Sequence, residues 1–144
     1  MDIIDAAILD ALKENARASA SQISKQVNLS VPAVAERIRK LESAGIIRGY
    51  TVRLDREKTG KPLLAFMLVN IDGTENIRGF RDAMLRQSDV LECHHVAGVQ
   101  DYLLKVAAEN MGALEAFISQ TLKTIPGVAA TNTMISLLPL KEEL

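Results

Sequence analysis

The sequence predicts an α+β chain in two parts: a bundle of three short helices, then a β-α-β-β-α-β unit. Three observations predict it. Apolar residues recur at helical spacing as far as Leu41, and a polar stretch, DREKTGKP, then interrupts the pattern with Gly60 and Pro62. From Leu63 onward, strand-length apolar runs alternate with helical patterns. The expected boundaries are a first domain over 1–54, a linker over 55–62 and a second domain over 63–144.

Ile4, Ile8, Leu9 and Leu12 give the first helix one apolar stripe. Ile23 and Val27, four apart, share a face of the second. Asn28 follows where a helix end turns left-handed, a conformation Asn tolerates better than any residue but Gly. Leu29 plugs the corner, Ser30 suits the next N-cap, and Pro32 falls in a first helical turn, where proline is tolerated. That third helix directs Val34, Ile38 and Leu41 inward, and Ala33, Glu36, Arg39, Lys40 and Ser43 outward, with Arg37 on the flank. After Gly45 the segment IIRGYTVRL alternates in part and carries Arg48 and Arg53, which predicts a basic strand or wing. The whole reads as a winged helix-turn-helix.

In the second half LLAFMLVNI is a strand by length and composition. A helix is expected over roughly 77–87, with Ile77, Phe80, Met84 and Leu85 inward. Strands follow at Val90 to Val96 and Tyr102 to Ala107, with a turn at Gly98 between them. Leu114, Phe117, Ile118 and Leu122 share a face of a helix over 111–124, Pro126-Gly127 turns the chain, and Val128 to Leu138 supplies the last strand. This order is that of a ferredoxin-like fold, with two helices on one sheet face. The other face offers apolar side chains, so it is expected to bury itself against a second copy as a homodimer.

At 144 residues, with 48% hydrophobic and 24% charged residues, the chain is neither disordered nor fibrous. The apolar runs are too short for a membrane helix, and no basic-then-apolar leader follows Met1, so no membrane partner is expected. The single cysteine, Cys93, excludes an intramolecular disulfide framework and fits a reducing cytoplasm. Charge is distributed unevenly. Residues 17–53 carry seven basic side chains against two acidic, an excess of five, in a chain whose formal net charge is −1. Residues 61–144 carry seven basic and ten acidic side chains, which makes that half a poor surface for DNA.

A helix buried on one side and small, polar and basic on the other suits the DNA major groove, although such helix pairs also serve as plain packing units. The small residues Ser30, Ala33 and Ala35 permit close approach, and the helix N-terminus at Ser30 offers amides to a phosphate. The expected DNA contacts are therefore Ser30, Pro32, Ala33, Glu36, Arg37, Arg39 and Lys40, with Arg48 and Arg53 on flanking phosphates. Dimer formation implies pseudo-palindromic double-stranded sites. Cys93, His94 and His95 sit together, but strand alternation sets His94 opposite the other two, leaving too few ligands for zinc. No phosphate-binding glycine loop or paired-carboxylate signature is present, so no enzyme and no cofactor is expected.

Motifs in order and spacing carry a resemblance over essentially the full length. They are Ile4-Asp5-x-x-Ile8-Leu9, Ala16-Arg17-x-Ser19, Leu29-Ser30, Val34-x-x-Arg37-Ile38-x-x-Leu41-Glu42 and Gly45-Ile46-Ile47-x-Gly49-Tyr50. The second half adds Val90-x-Glu92-Cys93-His94, Gly98-x-x-Asp101-Tyr102-Leu103-Leu104-Lys105-Val106 and Pro126-Gly127-Val128. The chain resembles the Lrp/AsnC (feast/famine) transcription regulators, departing from them in having Asn28 where Gly is usual and little tail after the last strand.

The resemblance implies a DNA-binding N-terminal part and a C-terminal part that dimerises, often as an octamer of four dimers. It also implies a small effector, commonly an amino acid, at dimer–dimer contacts. Carried onto this chain, the effector site includes Gly98, Val99, Gln100, Asp101 and Tyr102, with Met134, Ile135 and Ser136 completing it. Gly98 permits close backbone approach and Asp101 pairs with an ammonium group, though the same residues also make ordinary hairpin turns. Three other readings stay open: an effector-independent architectural DNA-binding protein, a ligand-sensing interaction protein, and a small amino-acid enzyme on the second half. RNA recognition is disfavoured, because the expected strands expose too few aromatics.

Overall fold

The computed structural model describes residues 1–142. The chain divides into two compact units, Met1–Arg53 and Leu54–Leu144, the last two residues lying outside the described part.

The first unit holds α1 (Ile3–Glu14), α2 (Ala20–Val27) and α3 (Val31–Ser43). Each start is capped by its own sequence. Asp2 and Asp5 form a reciprocal capping box on α1, Ser19 and Gln22 another on α2, and the Ser30 hydroxyl accepts from the Ala33 amide at 3.4 Å on α3. Ile8, Leu12, Ile23, Val34 and Leu41 make the buried core, with Ile4, Leu9, Val27, Leu29 and Ile38 packed around it. Asn28 is left-handed at φ 54°, ψ 46°, and is the one non-glycine residue at positive φ among the described residues. Gly45, at φ 70°, closes α3, and the Ile46 and Ile47 amides both return to the Leu41 carbonyl.

The expected wing strand is absent. Residues 46–54 form no β-ladder among the described residues, and Arg48 and Arg53 lie in an irregular exposed segment. The physical reason is that a strand exists only against a partner, and one chain provides none here. Tyr50, Val52 and Leu54 alternate along this stretch and are all exposed.

The second unit follows β1 (Leu63–Ile71), α4 (Ile77–Arg86), β2 (Val90–His95), β3 (Tyr102–Ala108), α5 (Met111–Ala116) and β4 (Val128–Ile135). All strand pairs are antiparallel in the spatial order β2-β3-β1-β4, the ferredoxin-like arrangement. Ala65, Met67, Val69, Tyr102, Leu104 and Val106 of the two central strands pack with Phe80, Met84, Leu114, Phe117 and Leu122 from the helices. The opposite face carries Phe66, Leu68, Leu103 and Met134 at its centre, bordered by Glu92, His94 and Asn132. At one end of that face Glu142 holds Lys105 at 2.9 Å and Arg56 at 2.5 Å.

Three expectations are corrected here. Leu85 is 84% exposed, because Phe80 and Met84 already fill the buried side of α4. The helix over 111–124 is not regular: after α5 comes a π turn, Phe117–Thr121, and then a tight turn, Leu122–Thr124. The wide turn lags in rotation and returns Leu122 to the core. The last strand stops at Ile135 rather than Leu138, since the Ser136 amide makes the final bond to Leu64 and β1 has little chain left to pair. At the preceding turn Gly127 has φ 89°, and a Cβ there would lie 2.5 Å from the Asn76 Cβ.

Candidate DNA-reading helix and effector loop

The outward face of α3 is built from its own periodicity. With Val34, Ile38 and Leu41 turned in, Pro32, Glu36, Arg39, Lys40 and Ser43 are turned out. The Arg39 and Lys40 side chains are 69% and 75% exposed. Glu36 sits between them, touching the Arg39 guanidinium and lying 3.8 Å from the Lys40 ammonium. It thus screens both cations in the free protein. Ser30, at the N-terminus of α3, leaves its early amides open to solvent beyond the one bond it accepts.

Arg37 goes elsewhere. Its Nη1 donates to Asp5 Oδ1 at 2.7 Å and to Asp2 Oδ2 at 2.8 Å, so the expected groove contact is turned toward the start of α1. The other oxygens of the same carboxylates accept the capping bonds, Asp2 Oδ1 from the Asp5 amide and Asp5 Oδ2 from the Asp2 amide. The capping amide first, and Arg37 second, hold each carboxyl below its usual range. A cleft of about 440 Å³ opens beside this junction, with Met1, Asp5, Glu36, Arg37 and Lys40 on its walls. Behind α3 the Tyr50 hydroxyl donates to Glu42 at 2.8 Å, which ties the start of the exposed segment to the helix.

In the second unit the loop between β2 and β3 carries the expected effector residues. Val99 is 86% exposed, and nothing lies within 4 Å of a Cβ placed on Gly98. Asp101 is tied down: its amide donates to Val69 at 3.1 Å and its carboxylate accepts from the Ile71 amide at 2.8 Å. Tyr102 is buried between Phe80, 4.7 Å away, and His95, 5.0 Å away, and its hydroxyl accepts from Arg81 Nε at 2.7 Å. Its ring therefore belongs to the core, and the Arg81 guanidinium meets both its hydroxyl and its face, 5.7 Å from the ring centre. Met134 pairs with Phe66, and the Ser136 amide bonds Leu64, whereas the loop joins the sheet at Val69 and Ile71. At about 3.3 Å per residue, roughly 10 Å or more of strand separates them, so one chain does not bring the loop together with Met134 and Ser136.

Sequence reasoning singled out His95 only beside Cys93 and His94; its contact with Arg81 beside Tyr102 went unnoticed because nothing local links a helix residue to a strand residue 14 positions on. On β2, His94 contacts Glu92 at 2.9 Å while Cys93 faces the other way, beside Leu104 rather than Leu103. Desolvation raises the Cys93 thiol pKa and Arg81 opposes it only in part, so the thiolate is disfavoured. Among the described residues no group of three or more His, Cys, Asp or Glu side chains could hold a metal, and no helix is long and apolar enough to cross a membrane.

A winged helix-turn-helix DNA-binding profile matches residues 1–48, and the Lrp/AsnC ligand binding domain matches residues 64–144. The chain belongs to the Lrp/AsnC family of transcriptional regulators. It is 35% identical to the leucine-responsive regulatory protein of Escherichia coli strain K12, over 99% of this chain and 88% of that one. The transcriptional regulator LrpC of Bacillus subtilis is 35% identical over 84% of this chain and 83% of its own length. In structure, the Neisseria meningitidis regulator NMB0573, solved as its L-Met complex, superposes with a TM-score of 0.96 at 31% identity, covering 99% of this chain and 94% of that one. Lrp/AsnC proteins are DNA-binding regulators rather than enzymes, and this chain is a ligand-responsive transcriptional regulator.

Proposed function

We propose that the chain reads double-stranded DNA with α3 and senses an amino acid or a related small molecule through its second unit, acting as a homodimer in the cytoplasm. The observation that carries the reading is the outward face of α3, where Arg39 and Lys40 stand exposed above a capped N-terminus. Pro32, Ala33 and Glu36 share that surface, and Arg48 and Arg53 are exposed and available to flanking phosphates. An amino acid is favoured as effector because the similar regulator from Neisseria meningitidis was solved with L-Met. The effector site would be shared between copies, the loop Gly98–Tyr102 from one and Met134 and Ser136 from another, since one chain keeps them apart. Two surfaces support self-association: the partly apolar open sheet face, and the exposed alternation of Tyr50, Val52 and Leu54. Assembly of dimers into octamers is part of the same proposal.

The test is a salt-titrated binding assay on duplexes selected from a randomised library, with and without a panel of amino acids. Tight salt-dependent binding altered by one amino acid is the expected result. Binding that no amino acid alters would leave an effector-independent architectural protein. Absence of enrichment at low salt would sink the assignment of α3 as the reading element.

A further inference from the structure

We infer that Arg37 is not a DNA contact but a positioning residue, which locks the reading helix α3 onto the capping box at the start of α1. The inference rests on α3 being the reading element.

Two carboxylates, those of Asp2 and Asp5, make the junction. Each divides its oxygens between two tasks: one oxygen satisfies a backbone amide of the α1 cap, and the other accepts from the same Arg37 nitrogen. The cap and the ion pair are therefore one unit. The guanidinium meets two anions separated from it by 35 and 32 residues, so the junction crosses the unit rather than stabilising a single helix. The Arg37 and Asp5 side chains are only 30% and 16% exposed, against 69% and 75% for Arg39 and Lys40. Nη1 of Arg37 is taken by two carboxylates, whose negative charge offsets that of the guanidinium before any phosphate approaches. What Arg37 does offer is a fixed azimuth for α3 relative to α1, where Val34, Ile38 and Leu41 supply non-directional packing. Base readout needs side chains placed to within a fraction of a hydrogen-bond length, and such placement comes from a supporting shell of this kind.

The two roles differ in sign at Asp5. If the junction only carried charge near DNA, removing an anion would strengthen binding. If it positions α3, Asp5→Asn weakens specific binding, although the protein becomes more positive. The experiment measures the full-length chain against a duplex selected by the wild type from a randomised library, and against a scrambled duplex, across a salt series. Arg37→Met and Asp5→Asn should each lower affinity for the selected duplex by about tenfold and leave the scrambled duplex nearly unchanged. The slope of log affinity against log salt should stay that of the wild type, and Arg37→Lys should recover part of the loss.

Three results would overturn the inference: a slope reduced by about one unit in Arg37→Met, which marks a phosphate contact; affinity retained or raised in Asp5→Asn while Arg37→Met is impaired, which marks a base contact; or full specific affinity in both variants. If Arg37→Met does not fold, Asp5→Asn and Arg37→Lys still decide the question. Failure of the wild type to select any duplex would instead count against α3 as the reading element.

Discussion

The carboxylate of Asp101 accepts the Ile71 amide at 2.8 Å, while the Asp101 amide donates to Val69 at 3.1 Å. One residue of the candidate effector loop thus finishes the hydrogen bonding of the central strand β1. Asp101→Ala leaves the Ile71 amide without its acceptor and should cost about 1–3 kcal/mol in urea unfolding. Asp101→Asn keeps an acceptor and should stay within about 1 kcal/mol of the wild type. Effector titration of the Asn variant then separates the roles: lost response with stability intact shows that the carboxylate also meets the ligand, and retained response makes Asp101 a brace.

Asn28 carries the turn of the helix-turn-helix at φ 54°. Asn28→Gly should be neutral or slightly stabilising, because Gly adopts this region freely. Asn28→Ala should lose about 1 kcal/mol, the ordinary cost of a left-handed residue with a plain Cβ. Thermal melts of the two variants check the pair. Equal stability would mean that the turn relaxes out of the left-handed region.

Arg39 and Lys40 share Glu36 as counterion in the free protein. Replacing either cation by Ala should reduce the salt slope of DNA binding by about one unit if it meets a phosphate. Glu36→Gln should raise affinity for scrambled duplex at low salt by releasing both cations. An unchanged slope in both Ala variants would remove them from the phosphate contacts.

Glu142 lies between Arg56 and Lys105, and those two partners, Arg56 foremost, hold its carboxyl down at about 2 against an ordinary 4.5. A depressed folded pKa means that the unfolded chain takes up the proton first. The contribution of this network is therefore complete above about pH 4.5 and is lost as pH falls toward about 2. Melting temperatures measured from pH 7 to pH 3 should fall less steeply for Glu142→Gln than for the wild type over the acid end of that range. Parallel curves would show that Glu142 is equally solvated in both states.

The local devices of this chain were legible in the amino-acid order itself. Ser30 as a cap, Asn28 as a left-handed turn, the inward stripe of Val34, Ile38 and Leu41, and the strand-length apolar run of β1 each depend on neighbours within a few residues. The strand order of the sheet followed as well, because a β-α-β-β-α-β string has few ways to fold back on one face.

What only the tertiary structure decided concerns partners distant along the chain. Arg37 turned toward Asp2 and Asp5, Tyr102 entered the core against Phe80, Asp101 spent its carboxylate on Ile71, and the expected wing found no strand to pair with. Periodicity determines which face of an element is buried. It carries no information on which distant charge a flanking arginine meets, or whether a strand has a neighbour, since both depend on where the other elements come to lie.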